Sequence, residues 1–504
     1  MKHKLTQEEA GKIREKKMPG VELIPESWRN YPEGELASQV LGFVGYKDDK
    51  RMGQYGIEAY YDDILEGTSG FVKAEKDTAG RWISISKRTL ERPKNGTDVV
   101  LTLDQSVQYF VEKLLKESIE KYGAASGSVI VIDPRTGKIA AMANYPTFNS
   151  NEFNKVEDKG AFKNRCISDQ YEPGSAFKPM NASIGLDLGK LTPESTYNDT
   201  GSFSVAGYTI RNSDGKAYGK ISLTRFLELS LNTGAIWAMQ SASKENFLKY
   251  LKNYGFGKKT GVELLGEADG DIENLDYMRD VNFVTASFGQ GISLTPLQLA
   301  TAFSTVVNGG ILMRPRIVEK FLTDDGKEEI VEPKEIRRVI SSKTSSTMRA
   351  MLISVVKNGW GKKAGVPGYL IGGKTGTAQM PGPSGGYSDK TIHNFVGFGP
   401  GDDPKFVTLV KLDEVTAVNF AADSVALVTG KLNKFLLDYY NIFPTEEIKE
   451  DELIYFNRLM ELKEEDIKKA KESDEGAEGI MPINSGDDKK KSDDKKKDKK
   501  KDKD

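Results

Sequence analysis

The sequence predicts an α+β protein, and three observations carry that reading. Strand-like segments stand early, at 99–104, 128–133 and 138–143, and again late, at about 369–380, 392–399 and 405–412. Helical periodicity fills the stretch between them, notably after Ser175, from Ser222 to about Tyr254, and from Thr295 to Val307. Strands so far apart in the chain complete one antiparallel sheet with helices packed on it, because a parallel βαβ array would alternate the two element types.

Taken in order, residues 1–95 read as a small β-rich module, with strand-like QVLGFVG at 39–45 and GFVKAEKDTAGRWISI at 70–85 between charged turns. Asn95-Gly96 is a turn signal that opens a second region, 96–443. VVLTLD at 99–104 is a strand, and over 105–122 Val107, Phe110, Leu114, Leu115 and Ile119 share one helical face. SVIVID and KIAAMA flank Pro134-Arg135-Thr136-Gly137 as a hairpin. The late strands follow, joined by Gly/Pro/Asp loops, and an amphipathic helix covers about 420–440. Past Pro444 comes a charged helical extension, 444–486, and then a tail, 487–504, of ten Lys and seven Asp around one Ser. Such a block buries no core and is expected to be disordered. Its interleaved Asp argues against nucleic acid as a partner.

Composition closes several routes. The 504 residues allow two to four domains at about 100 to 200 residues each. A single cysteine, Cys166, excludes an intramolecular disulfide and a multi-Cys zinc site. Two histidines, His3 and His393, form no metal cluster and leave little room for a histidine base. The longest uncharged stretch, Val281 to Met313, carries Asn282, Gln290, Gln298, Asn308, Pro296 and four glycines, so it reads as buried core rather than a membrane span. The opening MKHKLTQEEAGKIREKK has no apolar signal-peptide core.

Three patterns compete for the chemistry. Gly368 to Thr375 fits GxxxxGK[ST], but a phosphate loop needs a helix starting at its lysine, and Gly376-Thr-Ala-Gln-Met-Pro-Gly-Pro follows instead. Gly382-Pro-Ser384-Gly-Gly386 fits GxSxG without the strand before and helix after that a nucleophile elbow requires. Ser175-Ala-Phe-Lys178 is the third. Phe177, Met180, Ile184 and Leu188 repeat at helical spacing, so Ser175 lies near a helix N-terminus and Lys178 falls on the same face. A lysine serves as base for a serine when desolvation or a second cation depresses its pKa. The bland alternative is an N-cap serine with a solvated lysine.

Two further elements favour the chemical reading. Ser230-Leu231-Asn232 follows a helical LTRFLEL run and offers a hydroxyl and an amide two residues apart. Lys374-Thr375-Gly376-Thr377 reads as a strand edge, supplying the second lysine, and its glycine permits close approach of a substrate backbone. The set SAFK, SLN and KTGT, in that order, resembles the penicillin-binding protein and serine β-lactamase superfamily, with its SxxK, SDN and KTG signature. The wider runs YEPGSAFKP (171–179), FGQGISLTPLQ (288–298), NGG (308–310) and GKTGTAQ (373–379) resemble class B penicillin-binding proteins, the monofunctional D,D-transpeptidases. YPEGELA from Tyr31 and GQYGIE at 53–58 resemble the end of their non-catalytic pedestal module. The EPGS start and KTGTAQ form are closer to the division-associated FtsI- and SpoVD-like branch.

That resemblance implies the penicillin-binding transpeptidase fold, an antiparallel sheet with helices on both faces and an all-helical subregion, behind a partial pedestal. It implies Ser175 as nucleophile, Lys178 as base, Ser230 and Asn232 as proton relay and amide holder, and Lys374, Thr375, Gly376 and Thr377 as the substrate-carboxylate strand. The backbone N–H groups of Ser175 and Thr377 would form the oxyanion hole. It implies no cofactor and no metal. The partners are stem peptides ending in D-Ala-D-Ala, β-lactams, and a membrane glycan polymerase of the FtsW/RodA type. A D,D-carboxypeptidase or β-lactamase of the same superfamily, or a non-catalytic sensor or scaffold, stands as the alternative. Leu231 replaces the signature Asp. The family's membrane anchor and first pedestal half are not in this sequence, so the start reads as truncated or miscalled, and the catalytic domain is expected on the outer face of the cell membrane. Cys166, nine residues before Ser175, reads as a buried structural thiol. His393 reads either as a cleft-border residue or as a polar residue at a strand end.

Overall fold

The computed structural model describes residues 2, 4–24, 26–48, 50–73, 89–381 and 387–461. Expectations that fall on 74–85, on Ser384 with its neighbouring glycines, and on 462–504 lie outside the described residues.

A five-stranded antiparallel sheet forms the centre, built from β1 (Ser126–Ile132), β2 (Ile139–Tyr145), β3 (Gly372–Pro381), β4 (Tyr387–Gly399) and β5 (Phe406–Asp413) in the order β3-β4-β5-β1-β2. The late strands join the early hairpin through β5 beside β1, the closure by distant segments that the sequence pattern predicts. Alternation sorts each strand between two faces. Val129, Val131, Val410 and Leu412 meet α1 (Gln105–Tyr122) and, late in the chain, the helix Val425–Tyr439. Ile130, Ile132, Val407 and Leu409 meet the opposite cluster, which contains α2 (Lys178–Asp187), α3 (Leu223–Leu229), α4 (Asn232–Ala242), α5 (Pro296–Val307) and α6 (Ser342–Asn358). The helix Val425–Tyr439 is α7. Both faces are covered, so the strands read as near-continuous apolar runs: all seven residues of β1 and all eight of β5 are buried.

Several elements differ from expectation. The strand over 99–104 is Asp98–Leu101, and it pairs with Val318–Leu322 rather than with the central sheet. Asp104 leaves the strand to cap α1, accepting from Ser106 N at 3.0 Å and Val107 N at 3.1 Å. In the N-terminal region the QVL of QVLGFVG is a helical turn, Ser38–Leu41, held because Gln39 Nε2 donates to the carbonyls of Pro146 and Ala161. So short an apolar run carries no period that separates strand from helix. Short helices at Gln7–Glu15, Gly56–Tyr60 and Asp62–Leu65 accompany the hairpins Val44–Lys47/Lys50–Gly53 and Phe71–Lys73/Thr89–Glu91 there. The expected run from Ser222 to Tyr254 is three helices, broken at Ser230 and Ser243. Within the extension, Glu450–Met460 is helical. No helix of the described residues is long and apolar enough to cross a membrane.

Candidate active site

Ser175 sits in a single 3-10 turn, Gly174–Phe177, that runs into α2. Proline at the second position of α2 is tolerated because the first-turn N–H has no helical partner. Ala176 and Phe177 are buried and anchor the turn, whereas Ser175 stays partly exposed. On the flank, Gly174 N donates to Gly289 O at 3.0 Å, and Tyr171 exchanges two hydrogen bonds with Leu294, so the 288–298 run lies alongside the nucleophile segment.

One turn on, Lys178 is fully buried and its amine reaches across to the α3–α4 junction. Nζ donates to Ser230 O at 2.6 Å and Asn232 Oδ1 at 3.0 Å, and stands 3.4 Å from Ser230 Oγ. Among the described residues these are the hydrogen bonds of the amine, and Ser175 Oγ is not one of its partners. Ser230 ends α3 in the left-handed region, φ +58°, which turns its carbonyl toward Lys178. A non-glycine residue there costs on the order of 1 kcal/mol, strain of the kind that collects at functional sites.

Lys374 is the second buried lysine of the site, on the outer strand β3, where Nζ donates to Thr375 O at 3.1 Å and Thr375 Oγ1 at 3.3 Å. Burial drives the Lys178 amine well below its ordinary value, and the charge of Lys374 pushes it further in the same direction. Burial alone takes Lys374 down to about 7. Both buried amines are thus pushed toward the neutral form, Lys178 by the neighbouring charge as well as by burial.

The nucleophile turn and β3 touch directly. A methyl group built on Gly174 would lie 3.0 Å from the Thr377 carbonyl oxygen. One on Gly376 would fall 2.5 Å from Pro173 O and 2.7 Å from Asn394 Oδ1. Gly376 thus has a packing reason of its own: it lets β3 lie against the Pro173–Gly174 bend, which Asn394 Nδ2 also holds by donating to Pro173 O at 3.1 Å. Thr377 Oγ1 accepts from Ala421 N at 3.0 Å. The eight residues singled out in the sequence occupy one neighbourhood: Ser175 and Lys178 on one turn, Ser230 and Asn232 at the amine, and Lys374 to Thr377 along the adjoining strand.

Three other expectations resolve plainly. The phosphate-loop pattern continues as strand β3 with no helix after Lys374. Cys166 is fully buried, its thiol pushed up by burial, beside the carbonyls of Ala143 and Val129. His393 does not lie at a strand end. It is a buried mid-strand residue of β4 opposite Thr377, with Nδ1 2.7 Å from Ser424 Oγ, and burial lowers it to about 4. Sequence reasoning missed Asn394, and it missed Asn181, whose Nδ2 donates to Ala235 O at 2.8 Å and Ser287 O at 2.9 Å. Both act through tertiary contacts that leave no local pattern.

Comparison with known proteins agrees with this architecture. Residues 127–431 match the penicillin binding protein transpeptidase domain, and residues 1–101 match the penicillin-binding protein dimerisation domain. The chain is 33% identical to stage V sporulation protein D of Bacillus subtilis over 445 residues, 88% of this chain and 68% of that protein. It is 32% identical to the peptidoglycan D,D-transpeptidase FtsI of Escherichia coli K12, over 86% of this chain and 71% of that one. A crystal structure of penicillin-binding protein 3 from Mycobacterium tuberculosis complexed with aztreonam superposes with a TM-score of 0.75 at 30% identity, covering 84% of this chain and 93% of the other. The fold built around β3 and the Ser175 turn is thus the transpeptidase fold, and the chain belongs to the class B penicillin-binding proteins.

Proposed function

We propose that this peptidoglycan D,D-transpeptidase works through an acyl-enzyme on Ser175, cross-linking stem peptides that end in D-Ala-D-Ala. The observation that carries the reading is the buried amine of Lys178, bonded to Ser230 and Asn232 beside the serine turn. A neutral amine has two N–H donors and one lone pair. Ser230 O and Asn232 Oδ1 can only accept in these contacts and absorb both donors, which leaves the lone pair for a hydroxyl proton. Ser175 Oγ attacks the carbonyl between the two D-alanines, and its proton passes to Lys178. The C–N bond then breaks, the leaving amine takes the proton through Ser230, and D-Ala departs. An amine of a second stem reverses the sequence and takes the acyl group.

Lys374, Thr375 and Thr377 hold the terminal carboxylate. Thr375 and Thr377 each accept a hydrogen bond from the protein, so each hydroxyl proton remains free to donate to that carboxylate. The N–H groups of Ser175 and Thr377 take the oxyanion, and losing one such donor costs about 100- to 1000-fold in turnover. A β-lactam offers the same carbonyl and is trapped on Ser175. Domain limits of 1–95 for the pedestal segment and 96–443 for the catalytic region suit this division of labour. The EPGS and KTGTAQ forms support a septal role, on the outer face of the cell membrane, beside a glycan polymerase of the FtsW/RodA type.

The test is labelling by a fluorescent penicillin followed by mass and time. Stable labelling that Ser175→Ala abolishes is the expected result. Failure to label, or labelling that survives the substitution, would overturn the acyl-enzyme reading, and rapid loss of label would make the protein a β-lactamase. Release of D-Ala coupled to an amine acceptor then separates cross-linking from simple hydrolysis.

A further inference from the structure

The segment between α2 and α3 folds into two short hairpins, Thr196–Asp199 with Gly219–Ser222 and Ser202–Val205 with Tyr208–Arg211. Asp199 is buried at their junction and accepts from Gly201 N at 3.0 Å, Tyr218 N at 2.8 Å and Thr233 Oγ1 at 2.7 Å. Both of its oxygens also lie 3.1 Å from Asn212 Nδ2. Asn212 is buried too, and its NH2 group is committed to Asp199 and to Lys216 O at 3.1 Å. Its carbonyl therefore points the other way. It accepts from the backbone N–H of Asn232 at 3.0 Å and of Thr233 at 3.3 Å.

Those two N–H groups are orphans of the first turn of α4, whose N-cap is Leu231, a side chain with no acceptor. Asn212 caps the helix from another segment. Its neighbour Arg211 adds a second contact, because Arg211 O accepts from Asn232 Nδ2 at 2.9 Å. Asn232 is consequently held at its backbone N–H and at its side-chain NH2, and both constraints leave Oδ1 aimed at Lys178, 3.0 Å away.

We propose that Asp199 and Asn212 are positioning residues for the Ser175 reaction: Asp199 orients Asn212, and Asn212 with the Arg211 carbonyl fixes Asn232 against Lys178. Neither residue touches the substrate. The inference deepens the acyl-enzyme reading and rests on it. Misplacing a reacting group by about 1 Å costs on the order of 100-fold in rate, so losing this clamp is expected to slow the maximal rate rather than weaken binding.

The experiment measures acylation by a fluorescent penicillin as a function of its concentration, in wild type, Asn212→Ala, Asp199→Asn, Asn232→Ala and the double variant Asn212→Ala/Asn232→Ala. Asn212→Ala is expected to lower the saturating rate about tenfold or more, with the half-saturating concentration little changed. The double variant is expected to be no slower than Asn232→Ala alone, since residues acting through one another are not additive. An unchanged rate per folded molecule, even with a lower melting temperature, would show a merely structural network and overturn the proposal; so would losses that multiply in the double variant. If Asn212→Ala does not accumulate as folded protein, Asp199→Asn, alone and combined with Asn232→Ala, carries the same comparison. Wild-type protein that fails to label, or Ser175→Ala that labels, would sink the acyl-enzyme reading and this inference with it, whereas normal wild-type labelling with an indifferent Asn212→Ala sinks the inference alone.

Discussion

The two faces of the central sheet are equally dry and do opposite work. Toward α1 and α7, β1 and β5 present Val129, Val131, Val410 and Leu412 to Val107, Leu115, Val425 and Leu432; Thr408, Thr429 and Asn433 there are neutral, and the buried charge of Lys363 is paired with Asp423 at 2.6 Å. Toward α2 the same sheet carries charge. Lys374 stands opposite Val396 of the site-side cluster, and on β5 a buried Lys411–Asp413 pair lies with its ammonium 4.9 Å from the centre of the Tyr171 ring. On the first face exclusion of water becomes stability, about 1.5–3 kcal/mol for each large apolar side chain buried. On the second it becomes a pair of lysines with depressed pKa values, at a cost in desolvation.

That contrast can be broken from either side. The largest expected effect is that of Lys178→Met: acylation of Ser175 falls by about 100- to 10,000-fold, the range for losing a general base. Thermal stability is expected to change little, because relief of the buried amine's desolvation offsets the Ser230 and Asn232 acceptors left without their donor. Loss of stability with acylation intact would invert the assignment of the two faces. Leu432→Ala is the mirror experiment, expected to cost about 2–5 kcal/mol in denaturant unfolding while acylation per folded molecule stays unchanged.

Lys374→Arg sharpens the electrostatic side. Lys374, brought to about 7 by burial, loses its charge as pH rises through that value, so carboxylate recognition by the wild type is expected to weaken above neutrality. Arginine stays protonated, and the descending limb of the acylation–pH profile is expected to disappear in the variant, whatever its absolute rate. The smallest effect belongs to the rim of the packing face. Phe110 stacks on Phe435 with ring centres 3.8 Å apart, and Phe110→Leu is expected to lower stability by about 0.5–1.5 kcal/mol without a kinetic consequence.

What the sequence revealed follows the same division. The serine–lysine pair was legible because a spacing of three on a helix is a local fact, and α1 and the late strands because their apolar periods are long. α6 escaped notice because its first turns, SKTSSTMRA, are polar enough to blur the pattern, although Met348, Leu352 and Val355 are buried. β4 begins at Tyr387 rather than about 392 because pairing with β3, not apolarity, sets its start. Asp199, Asn212 and Asn394 were invisible for a deeper reason. Their partners lie on other segments, and a buried hydrogen bond between distant residues has no signature in composition or spacing.

The most direct test of the account is the rate of Ser175 acylation followed from about pH 5 to about pH 10, the range that brackets a displaced lysine and an ordinary one near 10.4. The account requires an ascending limb whose midpoint lies well below 10.5, reporting loss of the Lys178 proton, and a shift of that midpoint upward when Lys374→Gln removes the neighbouring charge. A rate that keeps climbing to the pH of an ordinary lysine, or a midpoint indifferent to Lys374, would contradict it.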